Sequence, residues 1–289
     1  MLMPCVAFAQ NTNAEKDSLP PIIFEATRAI ETDPFPVTNM STKEMKRLNN
    51  GQDMPYLLRF TPSLISTSDA GNGIGYTGLW IRGSDPSRIN ININGIPLND
   101  PESQQVFWVN TSDFASSISR IQIQRGIGTS ANGAGAFGGS IKLDTRSDNK
   151  TPYLSAQMGL GTFGTMRANM SFGTGRNRKG YYLLGRISSI ESDGYIDRAS
   201  TNLKSYFLET GRFTEKSSIR FIAFGGREIT YQSWYGTPAC VLENNTDSML
   251  AFAGRNYFTS AQTQNLLSSG RTYNYYDYPN QVEIGRAHV

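Results

Sequence analysis

The sequence has few of the residues and runs that mark common functional classes. It contains no apolar run of about 18 residues, the length needed to cross a membrane as a helix. Its 289 residues include only two cysteines, Cys5 and Cys240, and one histidine, His288. Charged residues make up 18% of the chain, and a net charge of +3 is too small to indicate nucleic-acid binding. If the chain lies in a membrane, it must therefore cross with β-strands.

The same scarcity removes the usual signatures of an enzyme. The sequence has no C-x-x-C or H-E-x-x-H spacing, no credible nucleophile–histidine pair and no closely spaced acid pair in a cleft motif. We therefore predict no catalytic residues, no metal site and no cofactor. Four acidic residues are scattered through predicted loops, where we expect them to be solvated: Asp85, Asp100, Glu102 and Asp113.

A glycine-rich stretch dominates the middle of the chain. It begins as a strand, in which apolar Ile121 and Ile123 alternate with glutamines, and it ends as a second strand over 140–145. Between them, residues 126–139 contain six glycines and no charge. Glycine lacks the Cβ that separates two chains, so this segment is expected to lie close to other backbone. A phosphate-binding loop is disfavoured because no Gly-Lys-Ser/Thr and no helical pattern follow; a flexible linker stays open.

Both ends of the sequence differ in character from the rest. Residues 7–9 read Ala-Phe-Ala before a glutamine, as at a signal-peptidase site, so we interpret 1–9 as a signal-peptide remnant, with an ordinary N-terminus as the alternative. Residues 10–30 are then a flexible N-terminal segment. Residues 283–289 resemble the translation of a sequencing adapter, and we interpret them as an artefact tail.

A short β-forming segment lies within the flexible N-terminal part, directly after two prolines. Such a segment either adds as a strand to the edge of a partner's sheet or forms the first strand of the next domain. The residues alone do not separate these two interpretations. The segment consists of Ile22, Ile23, Phe24, Glu25, Ala26, Thr27 and Arg28.

Residues 31–150 are predicted to form one small mixed domain. Ser41 and Glu44 have the spacing of a capping box, which predicts a helix after Ser41. Residues 88–94 alternate isoleucine with asparagine, which predicts a strand, and Asn94-Gly95 predicts a turn after it. We expect exposed loops over 68–78 and 99–108.

Residues 151–282 change to alternating segments of about eight to ten residues divided by turns. In the first of them, Leu154, Ala156 and Met158 face one way, and polar or small residues face the other. This pattern suits both a membrane barrel with apolar residues outside and a soluble β-sandwich or barrel. A Tyr-, Asn- and Trp-rich segment after Gly225 is predicted to be a long functional loop with a strand near 271–278.

Taken in order, these landmarks resemble the TonB-dependent outer-membrane receptors. Residues 22–28 are similar to the TonB box, and 56–64 to the helix-to-TPS segment of the plug. The IRG motif is matched by 81–83, the DG(V/I)P turn by 93–97 with Asn94 in place of aspartate, and two further family motifs by 121–126 and 135–141. Residues 233–238 and 271–276 are similar to Bacteroidetes members of the family.

The resemblance implies a fold and a function. The fold class is mainly β, with an α+β plug domain inside a transmembrane antiparallel β-barrel that is truncated in this fragment; 31–150 is the plug and 151–282 the first barrel strands and extracellular loops. The resemblance implies that the protein lies in the lipid of a Gram-negative outer membrane and imports a scarce extracellular ligand, such as a ferric siderophore, another metal complex or cobalamin. TonB is expected to bind 22–28 in the periplasm by β-strand addition. The alternative is a secreted soluble all-β binding or adhesion module.

The resemblance also implies site residues. Arg82, Arg125 and Gly126 are expected at the contact between plug and barrel. Gln122 replaces the family's usual acidic residue, so a barrel carboxylate such as Glu191 or Glu209 is expected to pair with the plug arginines. Ligand-binding residues are expected in plug loops and extracellular loops: Tyr76, Gln104, Trp108, Trp234 and Tyr235.

Overall fold

The computed structural model describes residues 35–128, 132–133, 135–145, 151–196, 199–214, 217–231, 238–268, 281–283 and 286–288. The predicted leader, the TonB-box segment 22–28, Trp234, Tyr235 and the strand expected near 271–278 lie outside these ranges. Among the described residues, no helix is both long and apolar enough to span a membrane.

The first unit, the plug, is built on a five-stranded mixed sheet. Its strands in chain order are β1 (Val37–Ser41), β4 (Ile89–Ile93), β5 (Ile96–Pro97), β6 (Ile118–Arg125) and β7 (Gly139–Thr145), in the spatial order β1-β6-β7-β4-β5. The β4–β7 pair is parallel and the other pairs are antiparallel. The strands predicted at 88–94, 121–124 and 140–145 are confirmed.

Two short helices and a hairpin complete the plug. Helix α1 (Thr42–Leu48) starts at the predicted capping box, in which Ser41 and Glu44 bond each other's backbone amides, and α2 (Met54–Leu57) follows. The hairpin pairs β2 (Leu64–Ser68) with β3 (Thr77–Ile81). The loop between them was expected to be exposed, and that expectation is wrong for its centre, because Ile74 is buried. Three 3-10 turns cover Pro86–Arg88, Trp108–Thr111 and Phe114–Ser117.

The second unit, the wall, is an antiparallel sheet of long strands. They are β8 (Tyr153–Leu160), β9 (Met166–Gly173), β10 (Tyr181–Ser192), β11 (Thr201–Phe213) and β12 (Ser218–Thr230), and each pairs with the next. Two short strands, β13 (Gln281–Glu283) and β14 (Arg286–His288), both pair with β12. The plug sheet and the wall sheet share no strand pairing among the described strands.

The two faces of the wall differ as the alternation predicts. On β10 the even-numbered residues are buried or face the plug, including Arg186 and Ser188, whereas Ile187 and Tyr181 are exposed on the outside. On β8 and β9 the outside carries large exposed apolar residues such as Met158 and Met170. The outer face therefore has the apolar character of a lipid-facing barrel wall, and the inner face meets the plug. The predicted fold class is confirmed: mainly β, with an α+β plug and part of a barrel wall.

The segment after β12 contains helices that the sequence analysis did not predict. They are α3 (Ala239–Leu242), α4 (Thr246–Arg255) and α5 (Ser260–Ser268). Asn245 caps α4 by accepting a hydrogen bond from the amide of Ser248. Met249, Ala253 and Leu266 form a small separate core between the helices. The interpretation of this segment as loop and strand alone is wrong where it is described.

Candidate functional site: the interface between plug and wall

An apolar contact joins the plug to the wall at the centre of the interface. Phe114 of the plug lies against Phe207 of β11, with ring centroids 5.9 Å apart, and against Phe224 of β12 at 5.1 Å. These wall residues belong to the same buried core as the plug isoleucines. Burial of large aromatic side chains on both sides makes this contact a substantial source of attachment.

A buried carboxylate beside Phe114 forms the polar centre of the interface. Asp113 stands in the left-handed backbone region, with φ of 51°, between two 3-10 turns. Its Oδ1 accepts from Arg167 Nη2 at 2.8 Å, and its Oδ2 lies 3.4 Å from Arg186 Nη1. Ser188 Oγ and Asn169 Nδ2 donate to Oδ2 at 2.6 and 2.5 Å. We call these residues, with Ser116, the Asp113 cluster.

The wall arginines also bond to the plug backbone. Arg186 donates to the carbonyl of Asp113 at 2.6 Å, and Arg167 donates to Ser116 Oγ at 2.7 Å and to the carbonyl of Asn49 at 3.4 Å. The side chains of Arg167 and Arg186 are only 10% and 3% exposed. Two cations from neighbouring wall strands therefore converge on one buried plug carboxylate.

The charge state of Asp113 follows from this geometry. Burial on its own raises the pKa of the carboxyl, but Arg186 and then Arg167, with the serine hydroxyls, outweigh that effect and hold its pKa below the ordinary value. Asp113 is thus ionised at neutral pH and the cluster carries a paired charge. A buried charge is tolerated while its partners are in place, whereas removing one partner strongly lowers the stability of the folded protein.

A second buried carboxylate meets the plug from the wall side. Glu209 on β11 accepts a hydrogen bond from Thr145 at the end of β7 and another from Tyr182 OH at 2.8 Å, and Arg220 Nε lies 3.6 Å away. Asn94 holds Thr145 in place: its Oδ1 accepts from the Thr145 amide at 3.1 Å, and its Nδ2 donates to the Thr145 hydroxyl at 3.2 Å.

The departure from the family motif at Asn94 has a structural reason here. Because the amide of Asn94 donates to Thr145 Oγ1, the threonine hydroxyl can donate its own hydrogen to Glu209. An aspartate could not donate in this position and would add a negative charge near a buried carboxylate.

The loop of the plug hairpin contacts a wall loop at one rim. The amides of Tyr195 and Ile196 donate to the carbonyl of Ala70 at 2.8 and 3.2 Å, and Asn72 Nδ2 donates to Ser192 Oγ at 2.8 Å. Gly71 lies under the Tyr195 ring, where an added Cβ would be 2.9 Å from a ring carbon. This end of the interface is therefore held by two backbone bonds to Ala70 and by the side-chain bond between Asn72 and Ser192.

Asp53 is a further buried acid near the interface. Thr77 Oγ1 donates to its carboxylate at 3.1 Å. Burial raises the pKa of Asp53 well above its ordinary value, the Thr77 bond lowers it in part, and the charge of Glu228 on β12 raises it further. Asp53 therefore keeps its proton to a higher pH than an ordinary aspartate does, in contrast to Asp113.

A small polar cavity lies between α1 and the inner face of β8 and β9. Its volume is about 80 Å³, enough for a few water molecules. Plug residues Lys46, Asn49 and Ser116 face wall residues Gln157 and Ser171 across it. The plug therefore meets this part of the wall through a polar gap.

The residues expected at the plug–barrel contact lie within the plug as described. Arg125 Nη1 donates to the Pro62 carbonyl at 3.3 Å, and the Arg82 guanidinium stands beside Gly126. Contacts of these residues with the wall therefore stay a prediction. Gln122 donates to Asn39 Oδ1 at 3.0 Å inside the plug sheet.

The two proposed barrel carboxylates have different outcomes. Glu209 does face the plug, but its plug partner is Thr145 rather than an arginine. Glu191 is exposed on the outside of β10, where it accepts from Asn202 at 2.9 Å, so its expected pairing with a plug arginine is wrong. Strand alternation explains this, because Glu191 has the parity of the outward-facing residues.

The plug residues expected to bind ligand are placed as follows. Tyr76 is half-buried and packs against the small core of Ile74 and Val109. Gln104 is exposed in a turn with φ of 58° and donates to the Pro101 carbonyl at 2.7 Å. Trp108 is 4% exposed and belongs to the plug core, so the structure gives it a packing role. Ligand binding by these residues stays a prediction.

The glycine-rich loop lies close to other backbone, as expected. The amide of Gly138 donates to the Arg88 carbonyl at 2.8 Å, and an added Cβ on Gly139 would lie 2.5 Å from the Gln124 carbonyl oxygen. In the described part of the loop, the near neighbours of its glycines are plug residues. The close approach of the described part of this loop is therefore to the plug itself.

Sequence reasoning missed the central residue of the interface. Asp113 was expected to be solvated in a loop, and that expectation is wrong because its side chain is fully buried. Its partners Arg167 and Arg186 did carry a signal, because each is a cation at an inward-facing position of a wall strand. A buried cation requires an anionic partner, but the alternation does not indicate which segment supplies it.

The fold and this interface define a class of protein, in which a small mixed domain is held against the inner face of a barrel wall. Residues 29–140 match the family model of the TonB-dependent Receptor Plug Domain. Residues 29–140 are therefore similar to the plug domain of TonB-dependent receptors, and the strands of the wall follow them in the chain.

Individual relatives agree with this assignment. The chain is 27% identical over 162 residues to hemoglobin and hemoglobin-haptoglobin-binding protein A of Haemophilus influenzae, covering 50% of this chain and 15% of that protein. Among solved structures, the copper transporter OprC shares the fold with a TM-score of 0.57 at 18% identity. The siderophore receptor PirA from Acinetobacter baumannii has a TM-score of 0.53 at 16% identity. Each structural match covers 68% of this chain and 32% of the other, so the chain spans about a third of their length.

Proposed function

We propose that this chain is part of a TonB-dependent outer-membrane receptor that imports a scarce nutrient. The observation that carries the proposal is the way the plug is held. Its contacts with the wall are the aromatic contact of Phe114, side-chain pairs around Asp113 and Glu209, and a short backbone contact at Ala70, whereas the described strands of plug and wall form separate sheets.

This form of attachment suits a plug that moves during transport. A shared sheet would have to lose a whole ladder of backbone hydrogen bonds before the plug could shift. Side-chain pairs can exchange one at a time, and the polar cavity at α1 gives water access to part of the interface. The interface therefore holds the plug against the wall and still allows part of the plug to separate from it.

Residues 22–28 are proposed as the segment that TonB pulls. The segment lies just before the plug and has the β-forming composition that strand addition requires. Force applied there reaches the plug through β1, which pairs with the long inner strand β6. The proton gradient of the inner membrane would supply this energy through TonB.

The proposed cargo is a metal-bearing or similarly scarce compound. The names of the matched proteins include hemoglobin, copper and siderophores. A ferric siderophore, another metal complex or cobalamin fits this class, and ligand contacts are proposed for Tyr76, Gln104, Trp108, Trp234 and Tyr235.

The proposal is tested by removing residues 22–28 from the full-length gene product in its host. Binding of the cargo to cells should persist, because the extracellular surface is unchanged, while energised uptake should stop. The cargo is found first from a panel of radiolabelled ferric siderophores, haem, copper complexes and cobalamin. Removal of seven residues at 11–17 is the matched control and should leave uptake intact.

Two results count against the proposal. Uptake that survives removal of 22–28 contradicts the role of this segment. Recovery of the folded protein from the culture medium, outside the outer membrane, favours the alternative of a secreted all-β binding or adhesion module.

A further inference from the structure

The outer face of the wall carries two cations side by side. Lys204 on β11 and Arg227 on β12 are register partners, and both are exposed on the side that faces away from the plug. Like charges directly opposite each other on a sheet repel. Within the described part of the chain, neither side chain takes part in an ion pair with an acidic residue.

The position of this pair relates it to the membrane. Lys204 and Arg212 face outward near opposite ends of β11, and Arg212 is eight positions further along the strand. At about 3.4 Å per residue and a tilt of about 40°, they are roughly 20 Å apart along the membrane normal. Tyr206 and Leu208 lie exposed between them. On the outward face of β11, Lys204 is thus the neighbour of Tyr206 on the side toward the end of the strand. Aromatic residues mark the membrane–water interface, so the pair lies at the level of lipid headgroups.

The end of the wall that holds the pair is identified by its loops. This end carries the long segment between Thr230 and β13, whereas the connections between the other wall strands, 161–165, 174–180, 193–200 and 214–217, are all short. Outer-membrane barrels have long loops outside the cell and short turns in the periplasm. The pair therefore faces the outer leaflet if the proposed location is correct, and the inference rests on that proposal.

A groove on the same face leads away from the cations. It has a volume of about 680 Å³, and its outward-facing lining is apolar below Lys204 and Arg227, with Ala168, Met170 and Ile187 along it. Small alanines between larger side chains create the depression. An apolar groove with a cationic end matches a molecule that has an acyl chain and an anionic headgroup.

We propose that this groove binds a phosphate-bearing lipid of the outer leaflet, with its phosphate between Lys204 and Arg227 and an acyl chain along Met170 and Ile187. The guanidinium supplies a planar pair of donors that suits phosphate oxygens, and the ammonium supplies a second charge. One bound phosphate removes the repulsion between the two cations. The lipid would thereby hold β11 and β12 together from outside.

The test uses the full-length gene product, extracted from outer membranes in mild detergent. Native mass spectrometry measures binding of diphosphoryl lipid A as the probe. The double variant Lys204→Gln/Arg227→Gln should bind it about 30-fold more weakly, because each cation near an anionic headgroup contributes roughly fivefold. Arg212→Gln is the matched control, since Arg212 faces outward at the other end and lies over the Tyr181 ring, 5.1 Å from its centroid.

The remaining arms separate the possible occupants. Inorganic phosphate at millimolar concentration should not displace the lipid; displacement would show a free-phosphate site and overturn the proposal. Equal binding of lipid A by wild type and the double variant would overturn the proposal as well. So would a bound protein, in place of a lipid, that wild type retains and the double variant loses. A charge-preserving swap, Lys204→Arg with Arg227→Lys, should keep the lipid and shows that loss in the double variant is not misfolding. Wild type that is inserted and transports cargo but fails these lipid tests refutes only this inference.

Discussion

Replacement of Asp113 by alanine should loosen the plug within the wall. The change leaves Arg167 and Arg186 buried with no carboxylate between them. Removing one partner of a buried ion pair costs about 3–5 kcal/mol, because the remaining charges stay uncompensated. The cost should appear as easier separation of plug from wall, since both arginines come from wall strands.

Hydrogen exchange in the full-length gene product measures this effect. Strand β6 is an inner strand of the plug sheet, paired on both sides by β1 and β7, and its amides should exchange only when the plug opens. A loss of about 3 kcal/mol corresponds to exchange that is faster by about 100-fold or more. The control is Asp144→Ala, which removes the ion pair between Arg120 and Asp144, side chains that are 48% and 20% exposed.

The control variant should change exchange by less than about fivefold, because exposed ion pairs contribute at most about 1 kcal/mol. Similar exchange in the Asp113 variant and wild type would refute the reasoning. Acid gives a second check. Since the folded-state pKa of Asp113 lies below 3.8, its contribution is complete above that value and is lost as the pH falls through the folded pKa. The alanine variant should lack this acid-dependent loss.

Three further substitutions test other parts of the account. Asn94→Asp should weaken the plug–wall contact by about 1–3 kcal/mol, because it removes the donor to Thr145 and adds a negative charge beside a buried carboxylate. The measurement is a denaturant titration, and an unchanged midpoint of unfolding would contradict this. Asp53→Asn should stabilise the protein at pH 7. Because the folded-state pKa of Asp53 is raised, the wild-type protein loses stability as the pH rises above 3.8, whereas asparagine does not titrate. Equal profiles of stability against pH for the two proteins would refute this. Gly139→Ala should lower stability by about 1–3 kcal/mol, because its Cβ meets the Gln124 carbonyl; a melting temperature equal to that of wild type excludes the close approach.

The sequence was most informative where periodicity and local chemistry act. The alternation of Ile89, Ile91 and Ile93 predicted β4, and the Ser41–Glu44 box predicted the start of α1. The wall strands were predicted for the same reason, since each has one face toward the plug and one facing out. Such features depend on neighbours within a few residues, which a single sequence contains.

The interface could not be predicted in the same way. Asp113 and Arg186 are 73 residues apart in sequence and meet only because the plug sits against β10. Nothing within a few residues of Asp113 distinguishes it from a solvated loop acid such as Asp100, which accepts bonds from its own turn. Contacts between side chains of the plug and the wall depend on the assembled fold. The sequence pattern indicates only which face of a strand each of these side chains occupies.

The helices after β12 were missed because their local signals are weak. Asn245 was part of a polar run that also suits a loop, and α4 buries only Met249 and Ala253. A helix with so narrow an apolar face gives little periodicity to detect.

The central claim, that the plug is seated within a membrane-inserted wall, is tested most directly by cross-linking in intact cells. Cysteines placed at Asn72 and Ser192, whose side chains bond across the rim at 2.8 Å, are treated with a short thiol cross-linker in a Cys240→Ser background. A pair at Ser155 and Ser171, register partners within the wall, is the positive control. The account predicts that both pairs cross-link in the outer-membrane fraction. A wall pair that reacts while the Asn72–Ser192 pair stays unlinked would contradict it.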